Sequence, residues 1–510
     1  MMLDELDYLQ STIVDALDTI RLEIKANNLP HLSHSATTPH PLDSDSFVCP
    51  PRLYEARRLA LAAMVSALSQ FRVKGQLKNL LQVPYEKVVE QSCAVYDTAC
   101  LDLLVQSGVL DRLAEESTLV EGMSVQQLQE HSGIDSGKLN TVLRYLAAQG
   151  WLREPTEGTY ALTRSALELR VGNNGRKWIM TPGKPKVASA LHAQLTHPEW
   201  RFSRAADQTA FQIANQTPLT LFAWMKQNPS ELVQWASSVQ SLGNAYHSAI
   251  TNDIPWDKYN GNTFIDCGGG QGNLSISIAE ILPKSFFVVQ DLEEVVPIAN
   301  ANIAARAPET LKSGRITTEA HNFFEPQPRF GKNHVYLFRY ILHDWPDHAC
   351  IRILGNIARV ARPWVRLGVF VDGMSLTVVI MQKCKIIIID TIQAPCTTSD
   401  PSSYGSQLRS LEDVTDTDPY TPIAAPPFIP KNFGACAKMS LALGVHMMGV
   451  FNALERSFSE WNDLLTKAGL RIVHVYPLRG MVSAIECEPL GEGEEYSDGS
   501  SGTEAGSNDA

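Results

Sequence analysis

The sequence predicts an α/β protein in which a doubly wound parallel sheet follows an N-terminal helical, winged-helix-like domain. From Thr263 onward strand and helix patterns alternate: strand Thr263 to Cys267, a glycine cluster, helix Asn273 to Ile281 and strand Ser285 to Gln290. Such alternation is typical of a parallel sheet covered by helices. Residues 53 to 250 instead show mainly helical patterns, interrupted by two short strand-like runs between 124 and 163.

The segment 124 to 163 suggests a winged helix. One helix opens at Ser124, Gly133 ends it, a second amphipathic helix covers Lys138 to Gln149, and two short strands flank Gly158. This is the order of elements in a winged helix-turn-helix. We do not expect DNA binding, because the segment has no basic face. Its three basic residues, Lys138, Arg144 and Arg153, are outnumbered by the acidic residues Glu130, Asp135, Glu154 and Glu157. A module for packing or dimer formation is the favoured interpretation.

The chain of 510 residues, 44% of them apolar, can bury several cores. Leu3 to Ile24 has the apolar spacing of an amphipathic helix that needs a partner surface, and His31 to Pro51 has the composition of a linker.

A strand-like stretch after Gly368 has no place in a parallel sheet order, so we expect it to be an addition to the fold, either a surface excursion or a translated intron. The predicted division is an arm and linker at 1–52, a winged-helix-like dimerisation domain at 53–165, a helical connector and substrate-pocket region at 166–250, the sheet domain at 251–490 with insertions 368–384 and 396–431, and a tail at 491–510. We expect 396–431 and the tail to be mobile.

Charge and composition exclude several partner classes. The formal net charge is −12, so neither nucleic acid nor a polybasic membrane contact is expected. The start of the chain is acidic and the most apolar stretch, Leu376 to Ile389, is interrupted by Gln382, Lys383 and Lys385, so we expect a cytoplasmic protein without a membrane span. Nine scattered cysteines without a Cys-x-x-Cys pair give no signal for a structural metal.

The glycine cluster between the first strand and helix of the sheet predicts a nucleotide-like cofactor. Asp266 precedes Gly268, Gly270 and Gly272, and glycines at a helix start let a ligand approach the backbone. The third glycine of the dinucleotide pattern falls three residues after the second, whereas these glycines are two apart, so a dehydrogenase is not indicated. Asp291, at the end of the next strand, is positioned to accept hydrogen bonds from ribose hydroxyls, although a helix cap alone would also explain it.

His343 is the candidate general base. It follows strand Val335 to Phe338, at the edge where ligands bind in such sheets. An imidazole can accept a proton at neutral pH, and a phenol needs such help to become a nucleophile. Taken alone, such a residue would more often be a structural histidine. A metal site with His348 is disfavoured because the two histidines, five residues apart, would lie on different helix faces.

These motifs together resemble the S-adenosylmethionine-dependent O-methyltransferases of the plant-type and fungal secondary-metabolite family, over roughly residues 53 to 488. The cofactor motif is Asp266 to Gly272, the acidic ribose ligand is Asp291, and the His-Asp-Trp signature is His343 to Trp345. The resemblance implies a Rossmann-like methyltransferase sheet, S-adenosylmethionine as methyl donor, and a homodimer formed through the N-terminal domain.

The resemblance also assigns further site residues. Arg339 occupies the basic position toward the cofactor's carboxylate, and Asn322 with Phe323 occupies the adenine-contacting pair, where the family usually has Asp. Asp390, in place of the usual Glu, and Glu455 would flank the catalytic histidine. Substrate contacts are expected from Met447 and Asn452, on a helix where Gly444 replaces a common Asp, although Met447 is an equally good core residue. Independently of the resemblance, Trp224 is one of several aromatic residues between 176 and 250 that could line an apolar pocket, but for each of them a place in the core is the better interpretation.

We therefore predict methyl transfer from S-adenosylmethionine to a hydroxyl of an aromatic small molecule, which the resemblance suggests is a phenolic polyketide. The catalytic residues would be His343, Asp390 and Glu455, with no metal. Two alternatives remain: a methyltransferase of a nitrogen or carboxylate acceptor, and a catalytically silent winged-helix binding protein that retains the cofactor fold.

Overall fold

The computed structural model describes residues 5–63, 81–181, 183–330, 333–362, 365–367, 378–380, 384–397, 411–415 and 420–491. The chain divides into two compact units. We call Met1–Pro255, Thr391–Ser457 and Pro477–Ser483 the helical unit, and Trp256–Asp390, Phe458–Tyr476 and Ala484–Ala510 the sheet unit. The predicted sheet domain at 251–490 is therefore wrong in one respect, because 391–457 packs with the helical unit.

The helices within the described residues are α1 (Glu5–Ala26), α2 (Pro51–Ala63), α3 (Pro84–Ser92), α4 (Val95–Gln106), α5 (Val109–Leu113), α6 (Val125–Ser132), α7 (Ser136–Ala148), α8 (Arg164–Leu167), α9 (Asn174–Ile179), α10 (Lys184–Thr196), α11 (Ala210–Asn215), α12 (Leu221–Gln227), α13 (Pro229–Ala245), α14 (His247–Asp253), α15 (Asn273–Ile281), α16 (Val296–Arg306), α17 (Pro308–Lys312), α18 (Asp347–Ala361), α19 (Lys438–Phe451) and α20 (Phe458–Lys467). The strands are β1 (Met123–Ser124), β2 (Leu152–Thr156), β3 (Thr159–Leu162), β4 (Thr263–Cys267), β5 (Phe286–Asp291), β6 (Ile316–Ala320), β7 (His334–Arg339), β8 (Val365–Leu367), β9 (Val378–Ile380), β10 (Lys385–Asp390), β11 (Ile392–Gln393), β12 (Arg456–Ser457), β13 (Leu470–Pro477) and β14 (Ser483–Pro489).

The sheet unit is built on one large sheet with the order β13-β14-β10-β7-β4-β5-β6. Strands β10, β7, β4, β5 and β6 pair in parallel, as the alternating sequence pattern predicts. Their near-continuous apolar residues are buried on both faces, as in the run Ile386 to Ile389. The carboxyl ends of these five strands consequently meet at one edge of the sheet.

The helical unit contains the predicted helix, turn, helix and hairpin. The hydroxyl of Ser124 accepts the N–H of Gln127, whose side-chain oxygen accepts the N–H of Ser124, and this reciprocal cap begins α6. Gly133 ends α6 at a φ of +70°, a conformation that favours glycine. Strands β1, β3 and β2 form a small sheet, and a core that includes Leu128, Leu143 and Tyr160 joins it to the two helices.

The arm and the segment expected to be mobile pack against each other. The apolar stripe of α1 contacts α2, and Val414, Ile423 and Ile429 are buried in the same core. The Tyr420 hydroxyl donates to the Glu55 carboxylate, which also accepts from Arg58 at 2.7 Å. The expectation of mobility is therefore wrong for the described residues 411–415 and 420–431, because burial of their apolar side chains holds them in place. The residues 398–410 and 416–419 lie outside the described chain.

The predicted linker at 31–51 is also held by the helical unit. The His40 ring bonds to the carbonyl of Pro30 at 2.8 Å, Asp43 pairs with Arg164, and Asp45 accepts from Asn174. Its polar side chains make specific contacts within the helical unit, which the interpretation as a linker did not predict.

The expected insertion after α18 falls partly outside the described residues, which omit 368–377 and 381–383. Its described parts, β8 and β9, form an antiparallel pair that is separate from the large sheet. The tail after Gly491 lies outside the described residues.

One stretch of the described chain, Gly434–Phe451, is long and apolar enough to cross a membrane by composition. Its side chains Leu443, Met447 and Val450 are instead buried in an apolar core of the helical unit with α10 to α12.

Candidate active site

The site lies in the sheet unit, at the carboxyl ends of the five parallel strands. The glycine loop follows β4, Asp291 ends β5, Asn322 comes two residues after β6, Arg339 ends β7 and Asp390 ends β10. The pairings of Cys267 with Gln290 and of Ile389 with Arg339 keep these strand ends level. This edge is where open α/β sheets bind ligands.

The glycine loop is held by the neighbouring strand. The N–H groups of Gly268 and Gly269 donate to the carbonyl of Gln290 at 2.8 and 3.0 Å. Gly268 has a φ of +70°, and a Cβ there would lie 2.7 Å from the Ile341 side chain. Gly270 has a φ of +55°, and the position of its missing Cβ faces open space. A ligand can therefore lie directly against the backbone at Gly270.

Asp266 is a buried acid beneath this loop. Its Oδ2 accepts from the Ser275 hydroxyl at 2.7 Å, a contact that the sequence analysis missed. Burial raises the pKa of Asp266 to about 6, and the Ser275 hydrogen bond and the charge of Arg339 partly oppose that rise. Burial also lowers the pKa of Arg339, with Tyr340 and Asp266 opposing, but a guanidinium remains charged at neutral pH.

Asp291 connects the loop to the end of β5. One carboxylate oxygen accepts the N–H of Leu292 and the other accepts the N–H of Gly270, each at 2.8 Å. Burial raises the pKa of Asp291, and the two backbone hydrogen bonds oppose this. A carboxylate offers about four lone-pair sites, so capacity remains for two ribose hydroxyls.

An aromatic group adjoins the loop. Phe323 and Phe324 both pack edge-on against Trp345, with ring centroids 6.1 and 4.8 Å away. The carbonyl of Phe323 accepts from the Asn356 amide at 3.1 Å, another contact that the sequence analysis missed. The Asn322 oxygen accepts the N–H of Phe324 at 3.1 Å, so this side chain caps a turn while its amide N–H₂ group remains a donor.

His343 lies on a short 3-10 turn, Leu342–Asp344, and is buried. Its Nδ1 is 3.7 Å from Oδ1 of the buried Asp390, and its Nε2 is 3.6 Å from Oδ1 of Asp344. A carboxylate on each side favours the positive charge that the ring acquires when it takes a proton.

Tyr340 shapes the turn that carries His343. It has a φ of +55°, rare for an aromatic residue, and its N–H donates to the carbonyl of Ile389 at 3.2 Å. Its ring centroid is 5.7 Å from that of His343. No local pattern in the sequence predicts this backbone conformation.

Residues 202–377 match the model of an O-methyltransferase domain family. The O-methyltransferase tpcA of Aspergillus fumigatus is 25% identical over 470 residues, covering 85% of this chain and 87% of that protein. The O-methyltransferase pgmB of Aspergillus terreus is 26% identical and covers 95% and 96%. Residues 202–377 therefore form an O-methyltransferase domain, and the chain is an S-adenosylmethionine-dependent O-methyltransferase similar to fungal enzymes along most of its length.

Solved structures agree on the fold of this O-methyltransferase. The mitomycin 7-O-methyltransferase MmcR matches with a TM-score of 0.58 at 19% identity, over 81% of this chain and all of that one. The complex of LepI with S-adenosylmethionine matches with a TM-score of 0.59 at 21% identity, over 82% and 92%.

The site residues of the O-methyltransferase fit its methyl donor. The open space beside Gly270 suits a ligand that lies on the backbone, Asp291 retains acceptor capacity for a ribose, and Phe323 offers an aromatic surface beside the loop. All of the predicted cofactor residues lie at this edge of the sheet unit: Asp266, Gly268, Gly270, Asp291, Asn322, Phe323 and Arg339.

The residues predicted to contact substrate belong to the helical unit of the O-methyltransferase. Met447 is buried and Trp224 half-buried in the core around α19. The Asn452 carboxamide bonds with Gln194, Ala205 and Gln208, so it joins α19 to the segment after α10. Their roles toward substrate stay predictions.

Glu455 follows α19. A Cβ on Gly444 would lie 3.4 Å from its Cβ and Cγ, so Gly444 leaves room for the Glu455 side chain. Its predicted role beside the catalytic histidine stays a prediction.

Proposed function

We propose that this O-methyltransferase methylates a hydroxyl of an aromatic small molecule, a phenolic polyketide in secondary metabolism, with His343 as general base. The observation that carries the proposal is the buried imidazole between Asp390 and Asp344, at the strand edge that also presents the cofactor residues. A neutral phenol has a pKa near 10, so a base that takes its proton during attack removes the main obstacle at neutral pH.

The cofactor residues divide into four roles. Asp291 would bind the ribose, Phe323 and Asn322 the adenine side, and Gly268 and Gly270 the backbone-facing side, with Asp266 and Arg339 toward the amino-acid portion. When bound, S-adenosylmethionine supplies an electrophilic methyl group and accepts the electron pair of the broken carbon–sulfur bond. The protein's task is then to align the acceptor oxygen with that methyl and to exclude water.

His343 acts on the acceptor. As the acceptor oxygen forms its new bond to carbon, the hydroxyl proton passes to a ring nitrogen of His343. Asp390 faces Nδ1 and stabilises the resulting imidazolium, so the ring keeps one orientation through the step. The methyl ether leaves neutral, and the ring returns its proton to solvent.

We also propose that the protein is a homodimer. One apolar stripe of α1 is covered by its own chain, and on its outer face the large side chains Leu6, Val14 and Leu22 are exposed at wide spacing. Tyr85 and Val88 on α3 and Val95 and Tyr96 on α4 are strongly exposed, and such a group of large apolar side chains favours a protein contact. A second copy offers the same face, which suits a two-fold interface.

The test of the proposed function is incubation of the protein with methyl-labelled S-adenosylmethionine and a panel of phenolic polyketides, with mass spectrometry of the products. A product that gains one methyl group on oxygen is expected. Products methylated only on nitrogen or carboxylate, or no product with bound cofactor, would contradict the proposal.

A further inference from the structure

A cavity in the helical unit is lined by none of the residues assigned to proton transfer or cofactor binding, although Trp224, a predicted substrate contact, lines it. Its volume is about 670 Å³, within the range of small-molecule sites. The walls include the aromatic side chains Trp178, Phe211, Trp224 and Trp235. We call it the Lys184 cavity, after the lysine that lines it at the start of α10.

Lys184 is a cation in this aromatic surrounding. Its Nζ lies 3.5 Å from the centre of the Trp178 ring and donates to the Trp178 carbonyl at 2.9 Å. Within the described part of the chain, no carboxylate lies at ion-pair distance from Nζ. An ammonium group has three N–H donors, so two remain for a ligand.

The other titratable groups that line the cavity do not neutralise Lys184. The Asp102 carboxylate accepts from the Gln106 amide at 2.7 Å, and Glu231 and Lys186 are the remaining charged residues. Burial and the charge of Lys184 lower the pKa of His446 to about 4, so this ring is neutral at pH 7. Burial alone lowers the pKa of Lys184 to about 7, as expected for a desolvated cation without an anion.

We propose that the Lys184 cavity binds a planar aromatic carboxylate. The carboxylate pairs with the ammonium group of Lys184, and the ring system lies against the indoles of Trp178 and Trp224. A charge-assisted hydrogen bond in a partly dry site is strong and directional, and flat apolar rings stack well on tryptophan. The site does not depend on methyl transfer, so its occupant is either the methyl acceptor or a separate ligand of the same chemistry.

Binding of such an anion favours the protonated lysine. Affinity is therefore highest when Lys184 is charged, at pH values below about 7 and above the pKa of the ligand acid. It decreases as the pH rises through 7, and at higher pH the complex takes up a proton from the buffer. The neutral carboxamide of the same ring system has no such dependence.

Calorimetry with indole-2-carboxylate and indole-2-carboxamide as probes tests the site in the full chain. The carboxylate is expected to bind at pH 6.5 at least tenfold more tightly than the carboxamide. Lys184→Met is expected to remove that difference, because the affinity for the carboxylate falls about tenfold or more. Lys226→Met, which removes the same charge from an exposed side chain on α12 that does not line the cavity, is expected to change affinity less than twofold.

Equal binding of the two probes, or equal effects of the two lysine substitutions, would refute the site. Circular dichroism of Lys184→Met separates a lost contact from a lost fold, and Lys184→Arg, which restores the charge, is expected to recover part of the affinity. Competition experiments then show whether the cavity binds the methyl acceptor or a separate ligand. If it binds the acceptor, indole-2-carboxylate inhibits turnover competitively with a phenolic acceptor. If it binds a separate ligand, the acceptor does not displace indole-2-carboxylate.

Discussion

The N–H of Cys384 donates to the carbonyl of Ala361 at 3.3 Å, so the chain leaves the end of α18 and returns to the same point just before β10. The 22 residues between them are therefore an excursion that a short turn could replace, since αβ loops usually have about 2 to 6 residues. The match to the O-methyltransferase domain model also ends inside this stretch, at residue 377.

We predict that deletion of Gly368 to Gln382 leaves the fold and methyl transfer intact. The expected melting temperature lies within a few degrees of that of the parent. Circular dichroism and turnover with labelled S-adenosylmethionine measure both. An insoluble variant would place the stretch in the core, and a transcript that encodes it in full would exclude an intron origin.

Replacement of His343 by alanine is expected to lower kcat by about a hundredfold or more, because the acceptor hydroxyl loses the base that takes its proton. Affinity for S-adenosylmethionine, measured by calorimetry, should change less than about twofold on the same reasoning. His348→Ala, an exposed histidine on α18, is the matched control and should keep parent turnover. Near-normal turnover of the His343 variant at pH 7 would make this residue structural.

Asp291→Ala is expected to weaken S-adenosylmethionine binding by roughly 1 to 3 kcal/mol, because two ribose hydroxyls lose a buried acceptor. Glu293→Gln, two residues further on and exposed, serves as the control and should bind normally. Calorimetry gives both affinities. Thermal unfolding without cofactor shows how much of the loss reflects the Gly270 hydrogen bond to Asp291, and a loss fully explained by unfolding would contradict ribose binding.

The buried Asp266 predicts a pH-dependent stability. Its pKa is raised to about 6 in the folded chain, so the folded state keeps the proton to a higher pH than the unfolded chain, which releases it near 4. The free energy of unfolding should consequently fall as the pH rises from about 4 to about 6, by up to about 3 kcal/mol. Urea unfolding of the cofactor-free protein at several pH values tests this, and Asp266→Asn should remove that part of the slope. An Asn variant with the full slope would assign it to other groups.

The exposed apolar face on α3 and α4 predicts a dimer that charge can break. Sedimentation should find a homodimer at micromolar concentration for the parent and a monomer for Val88→Glu with Val95→Glu, since burying two unpaired carboxylates is costly. Val171→Glu, which places the same charge at another exposed valine, should leave the dimer unchanged. A monomeric parent would contradict the proposal.

Local sequence patterns sufficed for the core of the candidate site. The strand, glycine cluster and helix around Asp266, and the strand ends at Asp291 and Arg339, are each determined within about ten residues, and parallel pairing brings such ends to one edge. The reciprocal cap at Ser124 and the hairpin around Gly158 are equally local, which is why the order of elements in the small N-terminal module can be recognised from its residues alone.

No local pattern indicates which distant segments of the chain pack together. Tyr420 bonds with Glu55 across 365 residues, so part of a polar region expected to be mobile is held in a core. Asn452 likewise bonds with Gln194 across 258 residues. Three further features depend in the same way on neighbours far along the chain. They are the left-handed backbone of Tyr340, the approach of Asp390 to His343 and the aromatic surroundings of Lys184. Periodicity and composition indicate which side chains must be buried. The free energy of burial depends on which surfaces meet, and these surfaces come together only when the chain folds.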